Sequence, residues 1–442
     1  MKKILLIALL AGAFAGNSPA RETVKILTET DQGCFPVGSP QEVVVKIDLT
    51  AAPDTKVKRT PLNLAVVIDR SGSMEGPKIE KARQAAAMIV DRLAPDDVFS
   101  LVAFDTSVDV LVPAQHVENK EAIKRQIARI RPNGTTALYA GVESGARQLQ
   151  EYFSAKRINR ILLLSDGIAN VGPSSTGELR NLGRRLAAHG ISVSTIGVGD
   201  DYNEDLMSGL AEASDANYYY VRDVETLPRI FAKELGSMMN VAARRIRIEV
   251  ICPDGVYPLG FIGRSESFEN QRCAVELDNL TAGQNRYLLL RCRAGEKNRI
   301  AAREIARVKV SYLDEFDNSR ECSFAENVHV AFDPDIAVVK SSVNSTVVAQ
   351  RELMFNALKI DEALAAADAG QLGNASKTLN SQAAWLDSQV QYAPAALKSE
   401  MNAEVQTLRS RAQQFGQGQY DSDSRKSLQN NSWNYRNSKS GN

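Results

Sequence analysis

The segment Leu62–Met74, LNLAVVIDRSGSM, decides the fold of the largest part of the chain. Within it, Leu64–Ile68 is a short and nearly continuous apolar run, which is typical of a strand in a parallel sheet that is covered on both faces. Three oxygen-bearing side chains follow this run at alternate positions, namely Asp69, Ser71 and Ser73. Because open α/β sheets bind ligands at the carboxyl ends of their strands, the sequence predicts a ligand site here.

Two later segments offer oxygen ligands of the same kind. Gly134–Tyr139 (GTTALY) carries the hydroxyls of Thr135 and Thr136 in a loop before a helix, and Ile161–Asp166 (ILLLSD) is a second buried strand that ends in a carboxylate. Hydroxyl and carboxylate oxygens without a neighbouring Cys or His suit a hard divalent cation such as Mg²⁺, Mn²⁺ or Ca²⁺. The three segments together therefore predict a metal site.

These segments resemble the von Willebrand factor A (VWA) domain family, over about residues 61–241. The family's metal-ion-dependent adhesion site, or MIDAS, uses Asp-x-Ser-x-Ser, a Thr on a second loop and an Asp on a third. Thr136 fits better than Thr135 because it directly precedes Ala-Leu-Tyr, where the family's Thr usually stands. An isolated Asp-x-Ser-x-Ser would indicate only a strand end and a helix cap, so the prediction depends on all three pieces occurring in family order. The resemblance implies five metal ligands: Asp69, Ser71, Ser73, Thr136 and Asp166.

Length and charge limit the classes of partner. With 442 residues the chain can form two to four domains. Its 53 basic residues balance 53 acidic ones, so neither nucleic acid nor an anionic membrane is expected as the main partner. No stretch after the N-terminal region is apolar enough to span a bilayer. We therefore expect no transmembrane segment in the mature chain.

Residues 1–20 are predicted to be an export signal. Lys2 and Lys3 precede an apolar run, Ile4–Gly16, and small residues with two possible cleavage sites follow it. The run is shorter than the ~20 residues that a spanning helix needs. No cysteine lies near the cleavage region, so a lipid anchor is not expected. The protein is expected to be exported and to be periplasmic or secreted.

The five cysteines lie outside the VWA-like region. An oxidising compartment favours disulfides, so we expect at least one bond between cysteines of the flanking β regions and none in the VWA core. An odd number leaves at least one thiol unpaired, and the pairing cannot be read from the sequence. A bond from the first cysteine to a later one would tie the two flanking regions together. The cysteines are Cys34, Cys252, Cys273, Cys292 and Cys322.

Hydrophobic periodicity divides the chain into several parts. Strands alternate with helices in residues 61–242, which predicts an α/β, doubly wound, Rossmann-like domain. Residues 21–60 and 243–335 show the alternation of antiparallel strands. Because the two strands of 21–60 cannot bury a core alone, we predict one discontinuous antiparallel β domain into which the VWA domain is inserted. This arrangement resembles bacterial VWA proteins labelled calcium-activated chloride channel homologues and, more distantly, inter-α-trypsin inhibitor heavy chains.

The C-terminal part is predicted to be helical and then disordered. Residues 345–415 are rich in Ala, Leu and Gln, with breaks at 370–373 and 392–394 that predict three helices. A small bundle is favoured over a docking or oligomerising coil because heptads are not sustained. Residues 416–442 are rich in Ser, Asn and Gly, which predicts a disordered tail.

Two classes of function remain. The resemblance implies an adhesion or scaffold module, in which Mg²⁺, or else Mn²⁺ or Ca²⁺, engages an Asp or Glu carboxylate of an envelope or extracellular protein. A metal-dependent hydrolase would instead need a general base, and the nearest candidate, Glu75, is more typical of a helix start. No catalytic residue is predicted, so a non-enzymatic role is favoured. An adaptor subunit of a larger envelope complex is a further alternative.

Overall fold

A computed structural model of the chain describes residues 23–53 and 59–438. The predicted export signal, residues 1–20, lies outside the described residues. None of the described helices is both long and apolar enough to cross a membrane.

The described part contains fifteen strands and eleven α-helices. The strands are, in chain order, β1 (Val24–Thr30), β2 (Cys34–Pro36), β3 (Gln41–Ala51), β4 (Leu62–Asp69), β5 (Val98–Phe104), β6 (Val108–His116), β7 (Ile158–Ser165), β8 (Ser192–Val198), β9 (Tyr218–Val221), β10 (Val241–Ile251), β11 (Tyr257–Phe261), β12 (Arg272–Thr281), β13 (Asn285–Ala294), β14 (Ile300–Asp314) and β15 (Arg320–Asp333). The helices are α1 (Pro77–Arg92), α2 (Lys120–Ile127), α3 (Leu138–Glu151), α4 (Thr176–Ala188), α5 (Glu204–Ala213), α6 (Leu227–Met239), α7 (Ile336–Ser341), α8 (Ser345–Asp368), α9 (Leu372–Val390), α10 (Ala395–Gly416) and α11 (Ser422–Arg436).

The α/β domain is built on a six-stranded sheet in the order β6-β5-β4-β7-β8-β9. All neighbours are parallel except β6, which is an antiparallel edge strand beside β5. On β4, Leu64, Val66 and Ile68 face the layer of α1 and α6, whereas Ala65 and Val67 face the layer of α3, α4 and α5. Helices on both faces confirm the doubly wound prediction. Each buried aliphatic side chain contributes roughly 1.5–3 kcal/mol, so this core has a large stability of its own.

The β domain is a sandwich of two sheets with one shared core. The first sheet has the order β1-β3-β13-β11 and the second has the order β12-β10-β14-β15-β2. Strand β3, which precedes the α/β domain, pairs along its length with β13, which follows it, as in the register Ile47 to Leu288. This pairing confirms the discontinuous β domain with the α/β domain inserted. Its strand pairs are antiparallel, as predicted, except for the short parallel pair of β2 with β15.

The three predicted helices are present as α8, α9 and α10, and they form a bundle. Their apolar side chains, such as Ile360, Leu379 and Leu408, make a core of their own. Helix α8 also covers the outer face of the first sheet, where Val347 and Met354 contact the core around Val44. The bundle therefore packs both on itself and on the sandwich.

The prediction of a disordered tail at residues 416–442 is wrong for most of its length. Helix α11 lies within it, and the Trp433 side chain, 1 % exposed, packs edge-on against Tyr218 of the α/β domain with ring centroids 6.0 Å apart. The Asp421 side chain caps the helix by accepting a hydrogen bond from Ser424 N.

Ionic contacts explain why the polar composition of α11 misled the prediction. Arg425 donates to Glu204, Asp205 and Asp368, and the Lys426 ammonium pairs with Glu204 at 3.0 Å while lying over the Tyr202 ring. Polar residues that find charged partners on other elements leave no apolar periodicity in the sequence.

All five cysteines are thiols in the structure, so the expected disulfide is not formed in it. Cys34, the first cysteine, lies on β2 as a free thiol and is not bonded to a later one. Cys252 and Cys292, which belong to opposite halves of the sandwich core, have their sulfur atoms 3.8 Å apart.

Candidate metal centre

The five predicted site residues lie at one edge of the six-stranded sheet. Asp69 is the last residue of β4, and Asp166 directly follows β7, which is the parallel neighbour of β4. Ser71 and Ser73 lie in the turn after β4, and Thr136 lies in the loop before α3. Parallel strands end at the same edge, so three separate segments meet there.

Short distances show that the side chains converge. The Ser71 and Ser73 hydroxyl oxygens are 3.1 Å apart, and Ser73 Oγ donates to Asp166 Oδ1 at 2.8 Å. A Cβ atom placed on Gly167 would lie 2.8 Å from Thr136 Oγ1 and 3.5 Å from both Asp69 Oδ2 and Ser71 Oγ. The structure thus brings all five side chains into one cluster, and only a glycine fits beside it.

Thr136, rather than Thr135, faces the cluster. Thr136 is buried and its backbone N–H donates to Asn170 Oδ1 at 2.9 Å, which fixes the loop. Thr135 is exposed, and its hydroxyl lies 2.9 Å from that of Thr106, on the other side of the loop. Asn170 was not expected from the sequence, since its position 34 residues away carries no local signal.

Backbone hydrogen bonds hold the two hydroxyl-bearing loops together. Gly72 N donates to Gly134 O at 3.1 Å, and Asn133 N donates to Arg70 O at 2.7 Å. Gly134 adopts φ +66°, and a side chain there would collide with the Thr106 hydroxyl at 2.5 Å. The loop geometry therefore depends on a glycine at position 134.

Asp69 is a fully buried carboxylate, and both of its oxygens accept hydrogen bonds. Ser71 N donates to Oδ1 at 2.7 Å and Ser165 Oγ donates to Oδ2 at 2.5 Å. Burial raises the pKa of Asp69 to about 6 and the nearby Asp166 charge adds to this, although the hydrogen bonds oppose it. No basic side chain in residues 23–53 and 59–438 forms an ion pair with Asp69. Its negative charge is therefore not balanced by a side chain, and a bound cation would stabilise the charged carboxylate.

Asp166 is equally buried but has a cationic partner. Lys78, the second residue of α1, donates from Nζ to Asp166 Oδ2 at 2.5 Å. The same ammonium lies 3.5 Å from the position of a Cβ on Gly199, at the end of β8. Lys78 was not predicted as a site residue. Its position directly after Pro77, which opens the helix next to the metal motif, was the available signal.

The donor set fits a hard divalent cation. Three hydroxyls and two carboxylates supply oxygen ligands only, which is the chemistry that Mg²⁺ and Mn²⁺ accept. Nowhere in the described ranges do three or more His, Cys, Asp or Glu side chains form a group that could hold a metal. A site at this edge would therefore depend on hydroxyls as much as on carboxylates.

The hydrolase alternative finds little support in the geometry. Glu75 is exposed at the C-cap of the short turn after β4. The three histidines lie on β6, after α4 and on β15, and none belongs to the segments that form the cluster: His116, His189 and His329.

Comparison with known proteins identifies the domain. Residues 63–233 match the family model of the von Willebrand factor type A domain. The chain is 30 % identical over 258 residues to the uncharacterized protein sll0103 of Synechocystis sp. This alignment covers 56 % of this chain and 60 % of that protein. The chain is 31 % identical over 160 residues to human inter-alpha-trypsin inhibitor heavy chain H4, which covers 34 % of this chain and 17 % of that protein, so the predicted resemblance is confirmed.

A solved structure extends the likeness beyond this domain. The von Willebrand factor type A protein from Catenulispora acidiphila superposes with a TM-score of 0.71 at 18 % identity, covering 89 % of this chain and 91 % of that one. At this identity the likeness concerns the fold. The chain spans less than two thirds of the length of the curated relatives described above.

Proposed function

Residues 63–233 form a von Willebrand factor type A domain, and from this premise we propose that the protein is a metal-dependent protein-binding module. A divalent cation held by the five clustered side chains engages a carboxylate of a partner protein. The observation that carries this proposal is the convergence of three hydroxyls and two carboxylates from three loops at one sheet edge. The cation ligands are Asp69, Ser71, Ser73, Thr136 and Asp166.

Mg²⁺ is the preferred cation, with Mn²⁺ or Ca²⁺ as alternatives. The cluster is compact, whereas Ca²⁺ takes six to eight oxygens. If water molecules lie between the two carboxylates and the divalent ion, the carboxylates balance its charge only in part. The ion then attracts a further carboxylate from an Asp or Glu of the partner.

Lys78 prepares the site for the cation. Its ammonium compensates the buried Asp166 carboxylate when no ion is bound. Since the ammonium and Ser73 together engage both Asp166 oxygens, the incoming cation competes with Lys78 for the same carboxylate. The protein therefore keeps the loops folded without metal.

The N-terminal sequence supports a proposed place of action outside the cytoplasm. Lys2, Lys3 and the apolar run Ile4–Gly16 support export, which makes the periplasm or the cell exterior the compartment of the partner. In this setting the protein acts as an adhesion or scaffold component that binds an envelope or extracellular protein.

The test is capture of the partner by the mature chain from an envelope extract of the source cell. We expect the chain to capture its partner in Mg²⁺ but not in EDTA, and the Ser73→Ala variant to lose capture. The Thr135→Ala variant should capture normally, because the Thr135 hydroxyl faces away from the cluster. A partner peptide identified in this way should lose binding when its Asp or Glu is changed to the amide. Undiminished capture in EDTA would overturn the proposal.

A further inference from the structure

Two cysteines face each other across the β sandwich. Cys252 directly follows β10 of the second sheet, and Cys292 lies on β13 of the first sheet. Their Sγ atoms are 3.8 Å apart, and the residues are 3 % and 0 % exposed. Both lie in the apolar core that the two sheets share.

The backbone on both sides is fixed by strand pairing. Cys252 N donates to Gln271 O at 2.9 Å, and Cys292 stands between Val43 of β3 and Pro258 of β11. A disulfide has a sulfur–sulfur bond of about 2.05 Å, so the two sulfurs must approach by less than 2 Å. We expect rotation of the two side chains to supply this movement without a change in the strand pairing.

The other thiols point elsewhere. The Cys34 and Cys273 thiols lie 4.0 Å from the carbonyl oxygens of Phe35 and Ala274, which are their own neighbours in the chain. Cys322 is half-buried on β15. Among the described residues, the pair Cys252 and Cys292 is thus the one with apposed sulfur atoms.

We propose that Cys252 and Cys292 form a disulfide that joins the two sheets of the sandwich when the chain folds with a disulfide oxidant such as oxidised glutathione. The two thiols lose two protons and two electrons as their sulfur–sulfur bond forms. The oxidant takes these up, and its own disulfide is cleaved to two thiols. The bond closes a loop between residues 40 positions apart, which contains β11 and β12.

Burial determines when the bond forms. A core thiol is shielded from an external oxidant in the folded protein, so oxidation takes place during folding, before the sheets close. Once formed, the bond is shielded from reductants in the same way. The link restricts the unfolded chain and so stabilises the sandwich that carries the inserted VWA domain.

Oxidative refolding tests this proposal. The reduced, unfolded chain is refolded in a mixture of reduced and oxidised glutathione, free thiols are blocked with N-ethylmaleimide, and peptides are mapped without reduction. We expect the Cys252 and Cys292 peptides to be linked and the other three cysteines to be blocked. The linked protein should melt on the order of 5 °C higher than the same protein with the bond reduced.

Matched variants make the result specific. Cys273→Ala should keep the linked peptide, whereas Cys252→Ala and Cys292→Ala should each leave four blocked thiols. If either of these variants does not fold, the peptide map of the unaltered chain decides alone. Five blocked thiols after oxidative refolding, or a link from Cys292 to a different cysteine, would overturn the proposal.

Discussion

Lys78 Nζ lies 2.5 Å from Asp166 Oδ2, so an ammonium group compensates a fully buried carboxylate at the place where the proposed cation would bind. Lys78 is the second residue of α1, the helix that follows the first site loop, and Asp166 lies in the last site loop, directly after β7. The pair therefore connects these two parts of the site. Because the Lys78 ammonium balances the Asp166 charge, the site loops can fold before a metal ion binds.

The variant Lys78→Met tests this role. Without metal it leaves Asp166 buried and unpaired, so we expect a loss of stability of about 1–3 kcal/mol. Saturating Mg²⁺ should remove most of that loss, because the cation replaces the ammonium and binds the variant more tightly. Thermal melts with and without Mg²⁺ measure both effects.

Lys81→Met is the matched control, since Lys81 lies on the same helix but pairs at the surface with Glu225. It should change stability by less than about 1 kcal/mol in either condition. An equal loss of stability for Lys78→Met with and without Mg²⁺ would contradict the role.

Gly167→Ala should impair the metal site with little effect on the fold. The added Cβ would lie 2.8 Å from Thr136 Oγ1, which must move away from the cluster. We expect Mg²⁺ affinity to fall by about tenfold or more, which is a loss of roughly 1.4 kcal/mol in binding. Gly177→Ala on α4, where the added atom meets no neighbour within 4 Å, should bind Mg²⁺ normally. Equal affinities for the two variants would count against the site.

The α/β sheet and the five clustered side chains could be predicted from sequence because their signals are local. The apolar run Leu64–Ile68 and the motif at Asp69 each occupy a few consecutive residues. Lys78 and Asn170 could not be assigned in the same way, because their partners Asp166 and Thr136 are 88 and 34 residues away. Such contacts exist only once the sheet has formed.

Helix α11 shows the opposite case, in which composition points the wrong way. Its surface is polar because Arg425 and Lys426 bind acidic residues of other elements rather than an apolar core. A sequence pattern shows hydrophobic periodicity, but it does not show which distant carboxylate pairs with an arginine.

Trp433→Ala measures the contribution of this helix. The buried ring packs against Tyr218, so its removal should destabilise the protein by about 3–5 kcal/mol. Trp385→Ala on α9 removes the same side chain from a position that is 52 % exposed, and should have a much smaller effect. Similar melting temperatures for the two variants would mean that α11 is not docked in solution.

Glu404 in the helical bundle predicts a dependence of stability on pH. Burial raises the pKa of Glu404 from 4.5 to about 6, although Asn356 donates to it at 3.0 Å. Because the folded-state pKa lies above the unfolded one, the cost of the charged form appears as pH rises from about 4.5 to about 6 and is fully present above that.

Glu404→Gln should therefore stabilise the protein by about 1–2 kcal/mol at pH 8 and leave it unchanged at pH 4. Denaturation at the two pH values measures the difference, and Glu362→Gln, an exposed position on α8, is the control. A stabilisation that is the same at both pH values would contradict the assigned cause.

Calorimetric titration of the mature chain with Mg²⁺ is the direct test of the proposed cation site. We expect one binding site that Thr136→Ala abolishes. Thr135→Ala, one residue away with its hydroxyl turned toward Thr106, should leave the site intact. Both variants should melt close to the unaltered protein, since the aliphatic core does not depend on the ion. Absence of binding by the unaltered chain, or equal binding by the two threonine variants, would contradict it.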